Sequence, residues 1–254
     1  MKKLFFASCL GIFLVSMADL AFGLQCTDNL NEYSDGSSII DQGLGSGDWG
    51  GSKWERIGGE SAVTFTSYDF VGDFYGIYKA DGTEGNMAYR SFAQPFGAVT
   101  SATFRLYHGA DSEAPYRFFF SSGTSEGISV ALKTIDIDDF RLVVYENGNI
   151  QRNICQVANP GTGDCLVTIT AVDFYEHSYT FEVAGVPGSH SAEFNYDIAS
   201  FDRCGLGGQT NGDGVYVRNI DIQGSAVPEP SSVAFFGMGL LGLAGAGWSR
   251  FRKQ

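Results

Sequence analysis

Apolar and polar residues alternate along most of the chain, and helical periodicity is hard to find. Val63–Thr66, Ala102–Tyr107, Phe140–Tyr145 and Val215–Ile220 each place apolar groups on every second position, as a half-buried β-strand requires. Asn147 and Gly148 stand between Leu142–Tyr145 and Ile150–Ile154. That pairing of an Asn-Gly dipeptide with two alternating runs predicts a tight hairpin with a type I′ turn. Further strands are expected at Tyr116–Phe120, Gly127–Lys133, Leu166–Ala171 and Tyr179–Val183. About ten to twelve short strands joined by Gly-rich or Asp-rich turns predict an all-β fold, a two-sheet antiparallel β-sandwich of jelly-roll type. No repeat of fixed period and no linker divides the span 24–226, which reads as one domain.

Two stretches depart from this pattern, one at each end. Lys2 and Lys3 precede an apolar run from Leu4 to Met17, and small residues follow at Ala21 and Gly23. A basic start, an apolar run too short to span a bilayer and a small-residue site describe a secretory signal peptide over residues 1–23. It implies the general secretion machinery and signal peptidase as partners. The other end runs Pro228, Glu229, Pro230, then an uncharged stretch from Val233 to Trp248, then Arg250, Arg252 and Lys253. A hydrophobic helix over about 231–248 is long enough to cross a hydrocarbon core with some thinning or snorkelling. The basic residues after it would be held on the cytoplasmic side.

Residues 227–254 resemble the PEP-CTERM sorting signal of Gram-negative bacteria: Pro-Glu-Pro, an apolar helix rich in Gly and Leu, and an Arg-rich terminus. The resemblance implies an exosortase that cleaves near Pro228–Pro230, transient inner-membrane anchoring, and release to the cell surface or beyond. It also implies association with exopolysaccharide and biofilm matrix. The prolines break helix and sheet alike, which leaves the segment before the membrane extended and open to a processing enzyme.

Composition changes the picture of the body more than of the ends. The chain has 16 Lys and Arg against 29 Asp and Glu, a net charge of −13. The terminal segments hold five of the basic residues and two of the acidic ones, so the body keeps 11 against 27, a net of −16. Such a body repels a phosphate backbone, and nucleic acid is excluded as a partner. Once Cys9 leaves with the signal, Cys26, Cys155, Cys165 and Cys204 remain for an oxidising compartment. Disulfides are expected, with Cys155–Cys165 and Cys26–Cys204 the favoured pairing of three. No C-x-x-C and no paired His supports zinc.

Candidate chemistry is sparse. His108 ends a predicted strand, His177 and His190 fall in turns, and each reads as a structural or surface residue. No Gly-x-Ser-x-Gly elbow nominates a nucleophile. Gly45-Ser-Gly47-Asp-Trp-Gly50 matches the dinucleotide string but lacks its strand and helix, so it reads as a turn. Oxygens at Asp136, Asp138 and Asp139, and at Asn211 and Asp213, would suit calcium, yet neither set is complete and both read as solvated turns. No cofactor or metal is therefore expected, with a structural calcium ion as the one alternative. Trp49, Trp54 and the twelve Tyr would serve either as a sugar-stacking platform or as core packing.

The run Gly47–Trp54, the central strand-hairpin-strand and the closing Val215–Ile222 resemble concanavalin-A-like and carbohydrate-binding jelly-roll domains. Arg218 stands where those families often carry an Asp, which weakens transfer of a calcium ligand. The expectation is a non-catalytic secreted or surface protein, part of the polysaccharide matrix or bound to it. Its alternatives are a polysaccharide-active jelly-roll enzyme, a glucanase or lyase, and an adhesin or scaffold with no sugar site.

Overall fold

The computed structural model describes residues 23–28, 33, 38–57, 64–70, 73–79, 86–108, 117–136, 139–157, 164–208 and 215–227. The expected signal peptide, the Pro-Glu-Pro motif, the apolar helix and the basic end lie outside the described residues, apart from Gly23 and Val227. Among the described residues no helix is long and apolar enough to cross a membrane. The body forms one compact unit, Phe22–Ala226.

Fifteen strands build it: β1 Gly23–Asp28, β2 Ser46–Gly47, β3 Glu55–Ile57, β4 Thr64–Phe70, β5 Asp73–Lys79, β6 Asn86–His108, β7 Arg117–Ser122 and β8 Ser125–Asp136. The others are β9 Asp139–Glu146, β10 Ile150–Gln156, β11 Asp164–Asp173, β12 Ser178–Val183, β13 Val186–Glu193, β14 Phe201–Gly208 and β15 Val215–Ala226. All of them join one antiparallel hydrogen-bonded sheet along the path β10-β9-β8-β7-β14-β6-β11-β12-β13, with β15 and β3 also on β6. Two separate sheets were expected from the alternation. The difference lies in β6, whose first half pairs with β14 and β3 and whose second half pairs with β11 and β15. One long strand therefore belongs to both layers of the sandwich.

The layers close over an aromatic core. Phe104 of β6 meets Phe118 of β7 at 4.4 Å between ring centroids, and Phe120 lies 5.4 Å from Phe201. Phe174 and Phe194 pack on the same Phe201 ring at 4.8 and 5.9 Å. Phe118, Phe120, Val130, Leu132, Leu142 and Val144 all turn inward and are buried. Pro95, which cannot donate to a ladder, falls where the β14–β6 register shifts between Phe201 and Arg203, a bulge that tolerates it.

The β9–β10 hairpin forms where the Asn-Gly dipeptide places it, with Asn147 and Gly148 at φ 47° and 79°. Its loop is one residue longer than a two-residue turn, because Glu146 pairs with Ile150 and Asn149 also turns left-handed at φ 75°. Gly45, Gly47 and Gly50 all have positive φ, in keeping with a turn at the Gly-x-Gly-x-x-Gly string. A Cβ on Gly47 would lie 1.9 Å from the Gln25 carbonyl oxygen, so only glycine lets β2 approach β1.

Candidate functional site

Two polar clusters stand out. The first is internal and ties the start of the body to β6. Arg90 on β6 donates through Nη1 to Asp28 Oδ2 at 2.7 Å, and both side chains are almost fully buried. Tyr33 Oη donates to the same carboxylate oxygen at 3.0 Å and Trp54 Nε1 at 3.2 Å. Arg90 is further held by the carbonyls of Ser52 and Leu44, and its guanidinium lies 4.2 Å from the centre of the Trp49 ring. Trp49 and Trp54 are thus core residues, which decides between the two roles the sequence left open for them. Arg90 Nε and Nη1, Tyr33 Oη and Trp54 Nε1 all find partners within the hub, which marks it as a structural lock.

Cys26 and Cys204 lie beside it. Burial pushes the Cys26 thiol up to about 12, and burial likewise raises Cys204 far above the ordinary thiol range. Cys26, Cys155 and Cys204 carry free thiols, so neither expected disulfide is present. The cysteines sit on strands with other partners: Cys26 opposite Ile222, Cys204 opposite Arg90 and Phe120, Cys155 opposite Leu142 and Cys165 opposite Leu106.

The second cluster occupies the face of β7, β8 and β14 turned away from the aromatic core. Cross-strand partners share a face, so Ser129, Phe119, Gly205, Tyr89 and Glu55 form one row across β8, β7, β14, β6 and β3. A Cβ on Gly205 would lie 2.4 Å from Phe119 Cζ, and the missing side chain makes room for that ring. Arg203 caps the Tyr89 ring at 4.5 Å, while Tyr89 Oη donates to Glu55 Oε2 at 2.6 Å. Arg117 caps the Tyr145 ring at 4.7 Å and approaches Glu126 Oε2 with Nε at 3.2 Å.

Glu126 is the buried acid of this face. Burial raises its carboxyl above the usual range, with Arg117 opposing the shift. Among the described residues Glu126 Oε2 and the buried hydroxyls of Ser121 and Ser129 have no aligned hydrogen-bond partner. Around them the turns converge. Arg117 Nη1 donates to Asn149 Oδ1 at 2.8 Å, Asn195 Nδ2 donates to the same oxygen at 3.1 Å, and Asn149 Nδ2 donates to Tyr196 Oη at 3.0 Å. Asn149 and Tyr196 are exposed, which gives the cluster a polar and aromatic rim. Arg117, Glu126, Asn149 and Asn195 carry no linear motif, and only the paired strands and the 147–149 turn bring them together.

His177 and His190 have separate neighbours. His108 ends β6, and His177 sits in a turn with Nδ1 3.9 Å from Asp197 Oδ1. His190 lies within β13, with its ring 5.5 Å from Phe181, rather than in the expected turn. Of the acidic sets, Asp136 pairs with Asp139, and Arg141 engages both carboxylate oxygens of Asp139. Asp138, Asn211 and Asp213 lie outside the described residues. Among the described residues no group of three or more acidic, His or Cys side chains is placed to hold a metal.

Fold and chain ends define an all-β sandwich that carries a sorting signal. The PEP-CTERM protein-sorting motif matches residues 226–253, starting at the last residue of β15. That motif is the substrate signal of exosortases and marks a secreted protein sorted to the cell surface. No curated protein matches the chain. Among solved structures it is similar to the CBM2 module of the evolved Dit of Lactobacillus casei BL23 phage J-1, at 12% identity and TM-score 0.41 over 70% of this chain and 98% of that one. It is also similar to a GH43 glycoside hydrolase, at 15% identity and TM-score 0.46 over 70% of this chain and 38% of that one. For the apo Crh5 transglycosylase the values are 12% and 0.46, over 79% and 84%.

Proposed function

We propose that the protein is a non-catalytic extracellular module of a Gram-negative bacterium, exported, held briefly in the inner membrane and released by an exosortase to serve in the polysaccharide matrix. The observation that carries this reading is the sorting motif at 226–253, joined directly to the folded body at Ala226. The face around Glu126 supports contact with polyhydroxylated chains, since it combines amide, guanidinium and hydroxyl groups with a tyrosine rim. A retaining or inverting glycosidase needs two facing carboxyls about 5 to 9 Å apart. Cleavage of added polysaccharide by the body, abolished by a single carboxylate substitution such as Glu126→Gln, is the outcome that would favour the alternative of a polysaccharide-active enzyme.

Fractionation of cells with and without the exosortase tests the sorting step. With the enzyme, the body is expected outside the inner membrane and shorter than the full chain by intact mass. Without it, or with Pro228→Ala and Glu229→Ala, the full-length chain is expected in the membrane. An intact tail retained in the inner membrane despite an active exosortase would sink the reading.

A further inference from the structure

Segments distant in sequence are pinned together beside Glu126. The 147–149 turn is tied to the stretch after β13, where Asn147 N–H donates to the Phe194 carbonyl at 3.0 Å, Gly148 N–H to the Asn195 carbonyl at 2.7 Å and Asn149 N–H to Asn195 Oδ1 at 2.6 Å. That stretch is tied in turn to β8, through Asn195 N–H to the Gly127 carbonyl at 2.7 Å and Tyr196 N–H to the Glu126 carbonyl at 3.0 Å. Backbone bonds thus set the positions of Asn149, Asn195 and Tyr196 before any ligand arrives. Tyr196 is 43% exposed, and Asn149 beside it is exposed as well. Behind this rim Glu126 Oε2, Ser121 Oγ and Ser129 Oγ are buried without an aligned partner among the described residues. Ser121 stands directly opposite Glu126 in the β7–β8 register. A hydroxyl group both donates and accepts, so it answers such a mixed set of atoms better than an ammonium or a carboxylate does.

Charge narrows the ligand further. Arg117, the cation of the rim, is balanced by Glu126, and Arg152 by Glu146. Glu193 and Asp197 add exposed acids nearby. A rim with both of these arginines balanced, on a body of net −16, repels carboxylated chains and leaves uncharged ones unopposed. We propose that Asn149, Tyr196 and Arg117 form a binding site for an uncharged polysaccharide, and that Glu126 behind them keeps anionic chains out. The Tyr196 ring supplies the stacking surface, while the Asn149 amide and the Arg117 guanidinium supply hydrogen bonds to sugar hydroxyls. The proposal deepens the matrix reading given above and rests on it.

The full chain, held in a detergent without a sugar headgroup and run through native gels, provides the test. The neutral probes are laminarin, hydroxyethylcellulose and galactomannan, and the anionic probe is alginate. Retardation by at least one neutral polymer and none by alginate is expected. Tyr196→Ala is expected to raise the apparent Kd about tenfold, the factor that about 1.4 kcal/mol represents, whereas Tyr196→Phe keeps the ring and stays within about twofold. Glu126→Gln strips Arg117 of its counter-charge and is expected to bring in retardation by alginate, a gain that a merely structural role would not produce. Absence of retardation by every neutral polymer, equal retardation of the natural chain by alginate, or an unchanged Kd in Tyr196→Ala overturns the site. A Glu126→Gln chain that binds the neutral polymer and still ignores alginate overturns the role given to Glu126. Release plays no part in the gel, so a chain that binds and yet is never released overturns the sorting reading and leaves the site standing.

Discussion

At the scale of single residues, stability concentrates at Asp28. Its carboxylate is surrounded by Arg90, Tyr33 and Trp54 with scarcely any solvent access. Removing one member of a buried pair strands the other charge, which costs about 3 to 5 kcal/mol. Asp28→Ala is therefore expected to lower the urea midpoint by that amount of free energy, and Arg90→Met added to it should recover part of the loss. Glu146 behaves differently. Arg152 engages both of its carboxylate oxygens at 2.7 Å, and these bonds hold its carboxyl below the usual range. A depressed folded value gives stability that is complete above the ordinary carboxylate range and is lost as pH falls through the folded value. Thermal melts between pH 7 and pH 3 should show this acid loss, and Glu146→Gln should reduce it. Neither group was legible in the sequence, because a lone Asp or Glu carries no sign of the arginine that will meet it. The tryptophans were visible as a choice between platform and core, and only the Asp28 hub decides it.

Individual elements were legible where side chains follow a strict alternation. β12 shows this in its burial, with Tyr179, Phe181 and Val183 inward and more accessible residues between them. The 147–149 turn was legible from its Asn-Gly pair. Gly148 has φ 79° and open space around its Cα, so Gly148→Ala isolates the left-handed strain. A loss of about 1 to 2 kcal/mol is expected, read as a lower melting temperature with an unchanged β-sheet circular dichroism spectrum. β13 and β14 carry weak strand signals for physical reasons. β13 contains Pro187 and Gly188, which depress strand propensity, and β14 carries Gly205, Gly207 and Gly208. In β14 the small residue serves the neighbour, since the Phe119 ring fills the space over Gly205. The first half of β6 carries a weak signal for a similar reason, because Pro95 reads as an ending and is instead absorbed by a bulge.

For the whole molecule, the alternation defined the fold class and left open how the layers join. A period of two tells which side chains face inward, and it carries no information on whether one strand passes between layers. The length of β6 settles that, and with it the single continuous sheet. The path of that sheet ends on β10 and β13, and Arg152 of β10 reaches across to the Ser191 carbonyl of β13 at 2.6 Å. Glu193 and Asn147 add a bond at 2.6 Å between the same two regions. The outermost strands of the path are thereby stitched into a seam instead of standing as separate open borders. Open borders invite identical chains to add strand upon strand, whereas charged side chains, a proline and a closed seam discourage it. Along this seam, two copies of the chain therefore meet bonded side chains where an open strand border would have let them fuse.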